Sequence, residues 1–545
     1  MFAFVALVAL GAMAANRTKQ EMTDIARQQL VGNTTRALQN LKLETLLENE
    51  SLAMIGDSTV GFAVVSRDKA QVAVVGVSTE AFSPSSMPDG FRWWLDSMTR
   101  RLKSGAPLVT RSMTAVNNFV KTHWDQMDPF NGLCPKVGSD PCPTGCVATA
   151  LAQVLKYYGY PAKSHGTGTY TKGSNNDRVY TVELNSTYNW SKMSLSYNKS
   201  SGASNKKAVQ QLMYDCGMAV HMQYGKDGSS AYNSDAARAC INNFDYDSLA
   251  IRYMYRSFYA DEEWLETIYS EIARQHPILY GGNDPENGGH AFLLTGNDEQ
   301  GKLWVNWGWG RGAEVGGYDG FFDLASLTLA DTYTFSDYHD MTIGFRPQAQ
   351  PDEQDELISV WVTTGPYYLK MLEKNSLQFL IPDMFNYHVL YFDGGLYYRF
   401  RNTETGKEDY LDCLTLDDDE VVAPLYGIGP DNDDDDYVLD TLDVSSLPAG
   451  NYEFTVVSKA KDEAGYKPLR IMDIGAAYSL QLTKADDGTL TVAGDLPPTG
   501  IQGVRQTSVV GDSKVYDLYG RRRSSDADGV PPGIYIRNGR KMIVK

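Results

Sequence analysis

The sequence predicts an α+β chain followed by an all-β C-terminal part, and three observations carry that prediction. Apolar side chains at Val147, Leu151, Val154, Leu155 and Tyr158 have the spacing of one buried helix face. Upstream, Val60–Ser66 and Ala70–Val77 are β-branched, apolar runs joined by the turn Arg67-Asp68-Lys69, as two paired strands would be. Beyond residue 357, alternating runs such as Leu357–Val362, Leu396–Phe400 and Tyr452–Val457 are separated by Gly, Asn and Asp turns, the pattern of an antiparallel β-sandwich. At 545 residues the chain exceeds a single core and predicts three or four domains.

Taken in order, Phe2–Ala14 is an apolar run ending in Ala12-Met13-Ala14, the small-residue pattern of a signal-peptide cleavage site, though no Lys or Arg precedes it. It is too short to span a membrane, and no other segment reads as a span. Residues 15–109 form a unit of their own. In it, Thr18–Leu47 has helical spacing through Met22, Ile25 and Leu30, the two strands follow, and Phe91–Met98 reads as a short helix. Lys103–Arg111 is a polar join containing Gly and Pro.

The next stretch, residues 110–346, holds the residues with chemistry. Cys146 opens its predicted helix behind Thr144 and Gly145, where backbone N–H groups and the macrodipole favour a thiolate. Gly159 and Pro161 end that helix. Asn287-Gly288-Gly289-His290 leads into the apolar run Ala291–Leu294, a buried strand opened by a tight turn. Leu303–Asn306 is the next strand, followed by Trp307-Gly308-Trp309-Gly310. A cysteine at a helix start, a distant histidine on a strand and an asparagine close behind it form the set a thiol peptidase needs. Between these motifs, Ala208–Val220 and Asp235–Asn243 read as helices, Trp264–Arg274 as amphipathic, and Pro277–Gly282 as a short buried strand.

Four motifs in order, Trp124–Asn131, Thr144–Ala150, Gly288–Phe292 and Val305–Gly310, resemble the streptopain family of secreted, papain-like cysteine peptidases. The resemblance implies a papain-like domain with Cys146 as nucleophile, His290 as base, Gln126 with the Cys146 N–H as oxyanion hole, and Asn306 and Trp307 beside the histidine. It implies substrate-cleft positions at Gly228, Ser229, Gly288, Gly289 and Trp309. Residues 15–109 would be the inhibitory prodomain that covers the cleft, with protein or peptide substrates as the other partners. Arg311 stands where the family usually has a second Gly, which bears on the loop's shape and on substrate preference. The same dyad also suits amide transfer, and a surface-binding role resting on the β-domain is a further alternative.

The formal net charge of −19 argues against a nucleic-acid partner. Neither a metal nor an organic cofactor is expected. The six cysteines fit no zinc spacing, and His123, His165, His221, His276, His339 and His388 are scattered through the sequence. With Cys146 free, at least one further cysteine must be unpaired. Residues 347–356 form an acidic linker, and residues 357–495 the β-sandwich. Asp417–Glu420 and Asp431–Asp436 read as solvated loops rather than calcium sites, since the EF-hand glycine is missing. Residues 499–545, with Gly533–Gly539 near the end, read as short strands and resemble the C-terminal sorting domain of type IX secretion cargo. That resemblance implies a secretion-machinery partner and a secreted or cell-surface, Gram-negative location.

Overall fold

The computed structural model describes residues 16–31, 42–80, 82, 87–173, 178–284, 288–310, 317–327, 338–348, 359–415, 421–428, 438–472, 474–476, 478–493 and four short strands beyond residue 514. The apolar run 1–14, residues 349–356 of the linker, both acidic runs and Arg311 lie outside the described residues. Chain contacts divide the protein into two units. The first comprises residues 1–125, 195–200 and 292–332, and the second comprises 126–194, 201–291 and 333–545.

In the first unit, helix α1 (Lys19–Val31) buries Met22 and Ala26 against Ala53, Ile55, Ala63 and Val65 of the adjoining strands. The strands β1 (Glu44–Glu48), β2 (Leu52–Asp57), β3 (Gly61–Ser66) and β4 (Val74–Ser78) form an antiparallel meander. The helical reading of 18–47 therefore fails at its end. Glu44–Glu48 pairs with β2, and that ladder outweighs the weak helical preference of five residues. Helix α2 runs from Asp89 to Ser104, longer than its apolar pattern, and stops where Gly105 takes a positive φ of 72° and donates to the Leu102 carbonyl.

The meander continues into the strands that follow the histidine motif. β4 pairs with Gly320–Phe322, which pairs with Leu303–Asn306, which pairs with Gly288–Asn297 from Leu293 onward. Gly76 permits this, because a Cβ there would lie 2.5 Å from Phe322 Cδ1 and 2.9 Å from the Trp94 ring. One aromatic cluster fills the space beneath. Phe91 meets Trp94, Trp307, Tyr318 and Phe322 with ring centroids 5.0–5.9 Å apart.

In the second unit, helix α3 (Cys146–Tyr158) is buried from Val147 through Leu155. One apolar face was the expectation, but α3 is enclosed. It packs against the helices Ala203–Ala219 and Asn233–Asn243 and the strand Ile278–Asp284. Its small residues, Ala148, Ala150 and Ala152, let neighbours approach on the sides the apolar stripe leaves open. Ile278–Asp284 pairs with Tyr338–Ile343, which pairs with Arg252–Tyr255. A buried network ties helix to sheet: the Asn233 amide and the Tyr253 hydroxyl donate to the two oxygens of Asp340, at 2.6 and 2.9 Å.

Residues 359–493 are β-rich, with three sheets around one core that includes Trp361, Leu369, Phe379, Tyr398, Phe454 and Leu482. One pair departs from the antiparallel expectation: Val362 and Thr363 lie parallel to Arg470 and Ile471. Alternation reports which face a residue takes and carries no strand direction, so this pair was invisible to it. Arg470 holds the β-rich region to the helix Asp261–Ala273, donating to both Glu263 oxygens at 2.7 and 2.9 Å and stacking 4.1 Å over the Tyr259 ring. The four C-terminal strands, Val515–Asp517, Arg522–Ser524, Gly533–Arg537 and Arg540–Val544, form a sheet of their own. Their turns at Tyr519-Gly520 and Asn538-Gly539 fall outside the described residues.

Candidate active site

Cys146 is the first residue of α3, and the structure supplies the reason. Gly145 precedes it with φ 86° and ψ 141°, a backbone region that only glycine enters cheaply. A Cβ on Gly145 would meet Met222 Cε at 2.5 Å and the Ser229 carbonyl oxygen at 3.2 Å. The first turn is pinned from inside. The Thr149 N–H and hydroxyl both donate to the Gly145 carbonyl at 3.0 Å, and the Thr144 and Thr149 hydroxyls are 2.6 Å apart. Neither Thr149 nor Met222 was singled out from sequence. Thr149 left a faint signal, a hydroxyl four residues after the glycine, whereas Met222 left none.

Gln126 belongs to the same construction. Its carbonyl accepts the Thr144 N–H at 3.0 Å, so the Gln126 loop and the cysteine loop are tied two residues before the thiol. Ser229 joins them, its hydroxyl donating to the Pro143 carbonyl at 2.7 Å. Its loop is closed at the base by reciprocal bonds between Gln223 and Ser230, and Gly228 at its tip is exposed. The second unit thus brings Gln126, Cys146 and Ser229 together. His290 is in the same unit and buried at 7% exposure, on the strand Gly288–Asn297 whose first residues are Gly288 and Gly289.

Asn306, Trp307 and Trp309 lie in the first unit. Asn306 is buried at 2% exposure. Its amide donates to the Thr122 carbonyl at 2.9 Å, and its Oδ1 accepts the Gly308 N–H at 3.0 Å. Trp307 is fully buried, its indole N–H donating to the Tyr318 carbonyl and its backbone N–H to Asp319 Oδ1. Gly308 and Gly310 have φ of 67° and 75° and turn the chain on either side of half-buried Trp309. Thr122, which is sequence-distant, and Asp319, twelve positions from Trp307, hold this turn and went unnoticed.

Cys134, Cys142, Cys216 and Cys240 are buried, and Cys146 and Cys413 are partly exposed. None forms a disulfide. Desolvation pushes the thiols of Cys134 and Cys413 up to about 12, and it also raises those of Cys142, Cys216 and Cys240. Those five are thiols rather than thiolates at neutral pH. Cys146 is partly exposed and opens α3, where backbone N–H groups and the macrodipole favour a thiolate.

Comparison with known proteins gives consistent relatives. Residues 124–322 match the Peptidase C10 family. Streptopain of Streptococcus pyogenes is 29% identical over 363 residues, covering 60% of this chain and 89% of its own. The thiol protease/hemagglutinin PrtT of Porphyromonas gingivalis is 30% identical over 322 residues, covering 53% of this chain and 36% of its own. Among solved structures, a fragment of Prevotella intermedia prointerpain A with a cysteine-to-alanine substitution aligns with TM-score 0.50 and 32% identity, over 56% of this chain and 98% of that one.

Proposed function

The chain belongs to the Peptidase C10 family and is a papain-like cysteine peptidase, and from that premise we propose that it is a secreted endopeptidase made as a zymogen, working through Cys146 and His290. The observation that carries the reading is the first turn of α3: a thiol at a helix start, on a glycine-only backbone, with Gln126 tied to the same loop.

His290 takes the Cys146 proton, and the thiolate attacks the scissile carbonyl carbon. The tetrahedral oxyanion is held by the Cys146 N–H and the Gln126 side-chain amide, each donor contributing about 2.7–4 kcal/mol. His290 returns the proton to the leaving amine. Water, activated by the same imidazole, then releases the acid and restores the thiol. Asn306 suits the orienting role better than Trp307, because the one indole N–H is already committed to Tyr318 while a carbonyl oxygen accepts twice. Ser229 and Gly228 form a cleft wall, with Gly288, Gly289 and Trp309 as further cleft positions.

Residues 15–109 act as the prodomain. Support comes from the first unit, where β4 and α2 pack onto Gly320–Phe322 and the ring of Trp307. Residues 1–14 direct export, and residues 499–545 serve as the sorting tail.

The test is direct. Cys146→Ala and His290→Ala should each abolish casein hydrolysis with thermal stability preserved, and Gln126→Ala should lower turnover about a hundredfold to a thousandfold. A thiol-reactive peptide probe at neutral pH should label Cys146 alone. Appreciable hydrolysis by pure Cys146→Ala protein would sink the proposal.

A further inference from the structure

We propose that Glu80, His123 and Asp319 form a divalent-cation site, suited to Zn2+, that clamps the N-terminal unit to the chain downstream of its join. The sequence scatters its histidines, yet the fold gathers this one: one ligand atom from each of the three residues lies within 4.8 Å of the others. Glu80 lies just past β4, His123 just before the Gln126 loop, and Asp319 just after Tyr318 in the aromatic cluster. All three belong to the first unit.

The geometry fits a metal better than a hydrogen bond. His123 Nδ1 is 3.5 Å from Asp319 Oδ2 and 4.0 Å from Glu80 Oε2. Both separations exceed the N–H···O range of about 2.7–3.2 Å. The first is close to the edge of a tetrahedron built on zinc bonds of about 2.1 Å, about 3.4 Å, and the second is still within the span of about 4.2 Å that two such bonds can bridge. Two carboxylates with side chains only 6% and 4% exposed converge on the same ring nitrogen. A dication between the three would meet both carboxylates and the ring nitrogen at once. One imidazole and two carboxylates form a set that suits zinc rather than calcium, which takes six to eight oxygens.

The surroundings aim these groups. Asp319 Oδ1 accepts the Trp307 N–H at 2.9 Å, which turns Oδ2 toward His123. The Ser78 hydroxyl donates to the Asp319 carbonyl at 2.6 Å and accepts the Glu80 N–H at 3.3 Å. The His123 N–H donates to the Leu195 carbonyl at 2.8 Å. Such outer bonds fix ligand orientation before a metal arrives. Because one of three ligands comes from residues 15–109, bound cation favours the docked state by mass action, and loss of that segment leaves two ligands.

The cation site stands on geometry alone, while the clamp also rests on the prodomain reading. Full-length Cys146→Ala chain, stripped with chelator, is dialysed against Zn2+, with Co2+ as an optical probe. The expected result is one Zn2+ per chain, with affinity reduced at least tenfold in Glu80→Gln and in His123→Ala, and ligand-field bands of Co2+ lost in both. Glu80→Gln is nearly isosteric, and its melting curve without metal should match the parent. Binding that neither substitution weakens, or no binding, overturns the site. In the wild-type chain, Zn2+ should slow N-terminal shortening and chelator hasten it, with Glu80→Gln insensitive to both. Zn2+ bound at these residues with no effect on shortening overturns the clamp.

Discussion

Replacing Gly145 by alanine tests whether the backbone before the thiol sets the activity. The substitution forces a side chain into φ 86°, ψ 141°, which costs about 1–3 kcal/mol. It also places Cβ 2.5 Å from Met222 Cε and 2.6 Å from its sulfur. Met222 is fully buried and has no solvent to swing into, so overpacking adds about another 1–3 kcal/mol. The cheapest relief is a shift of the first turn of α3 against the Thr149 bonds to Gly145 and the Thr144 contact. A displacement of about 1 Å at Sγ costs on the order of a hundredfold in rate. Gly159→Ala at the other end of the same helix is the control. Gly159 has φ 61° and ψ 35°, its nearest Cβ neighbour is Trp190 Cγ at 3.9 Å, and the penalty is about 1–2 kcal/mol of backbone strain. Kinetics on a peptide substrate and thermal unfolding should separate them: both variants lose stability, and only Gly145→Ala loses kcat/KM, by about a hundredfold. A Gly145→Ala enzyme within threefold of wild type, or an equal loss in Gly159→Ala, refutes the reasoning.

Two further predictions concern the second unit. Arg470→Ala removes a bidentate pair with Glu263 and a ring contact, both partly exposed, and should destabilise the chain by about 1–2 kcal/mol, with Arg470→Lys recovering little; denaturant unfolding measures it. Burial holds the His339 imidazole down at about 3, beside the Tyr280 hydroxyl, while the unfolded chain titrates near 6.5. Below pH 6.5 the unfolded state takes up a proton that the folded state refuses, so stability falls as pH drops toward 3. His339→Gln should remove on the order of 3 kcal/mol of the stability change between pH 6.5 and 4. His388, held down at about 4 by burial, leaves a smaller residual dependence.

What was legible in the sequence was local. The helix at Cys146 showed in its spacing and terminal glycines, and the histidine strand in its Gly-Gly start and apolar run. The roles assigned to both residues came from four short motifs, which are local as well. What escaped was set by tertiary pairing. The Glu44–Glu48 strand exists because β2 is beside it, and the parallel pair of Val362 with Arg470 joins residues more than a hundred positions apart. Among the site's supports, Thr149 left a trace because it is within one turn of Gly145. Met222 and Thr122 left none, since each acts on a residue far along the chain, and Asp319 left none because its partner Trp307, twelve positions back, is beyond any local pattern. The cation cluster failed to show for the same reason: its three ligands come from residues 80, 123 and 319.

The packing of the first unit also bears on how the proposed zymogen would activate. Within the join, Lys103, Ser104, Gly105 and Pro107 are exposed, but Leu108 is buried and the Val109 N–H donates to the Ser326 hydroxyl at 2.7 Å. A first cut therefore belongs at 103–107. Such a cut severs the chain without touching what holds residues 15–109 in place. β4 remains paired with Gly320–Phe322, the Trp94 indole still donates to the Asp323 carbonyl, and Phe62 and Phe91 remain packed on Tyr318 and Phe322. Separating those surfaces would expose several aromatic rings, each burying about 150–250 Å². Release should therefore lag the first cut, and activity should track destruction of the freed segment rather than scission of the join. A chain nicked once at 103–107 should run as one species on gel filtration and stay inactive until diluted or digested further. Full activity immediately after a single nick at micromolar concentration would show that the aromatic contact is too weak to hold the segment in place.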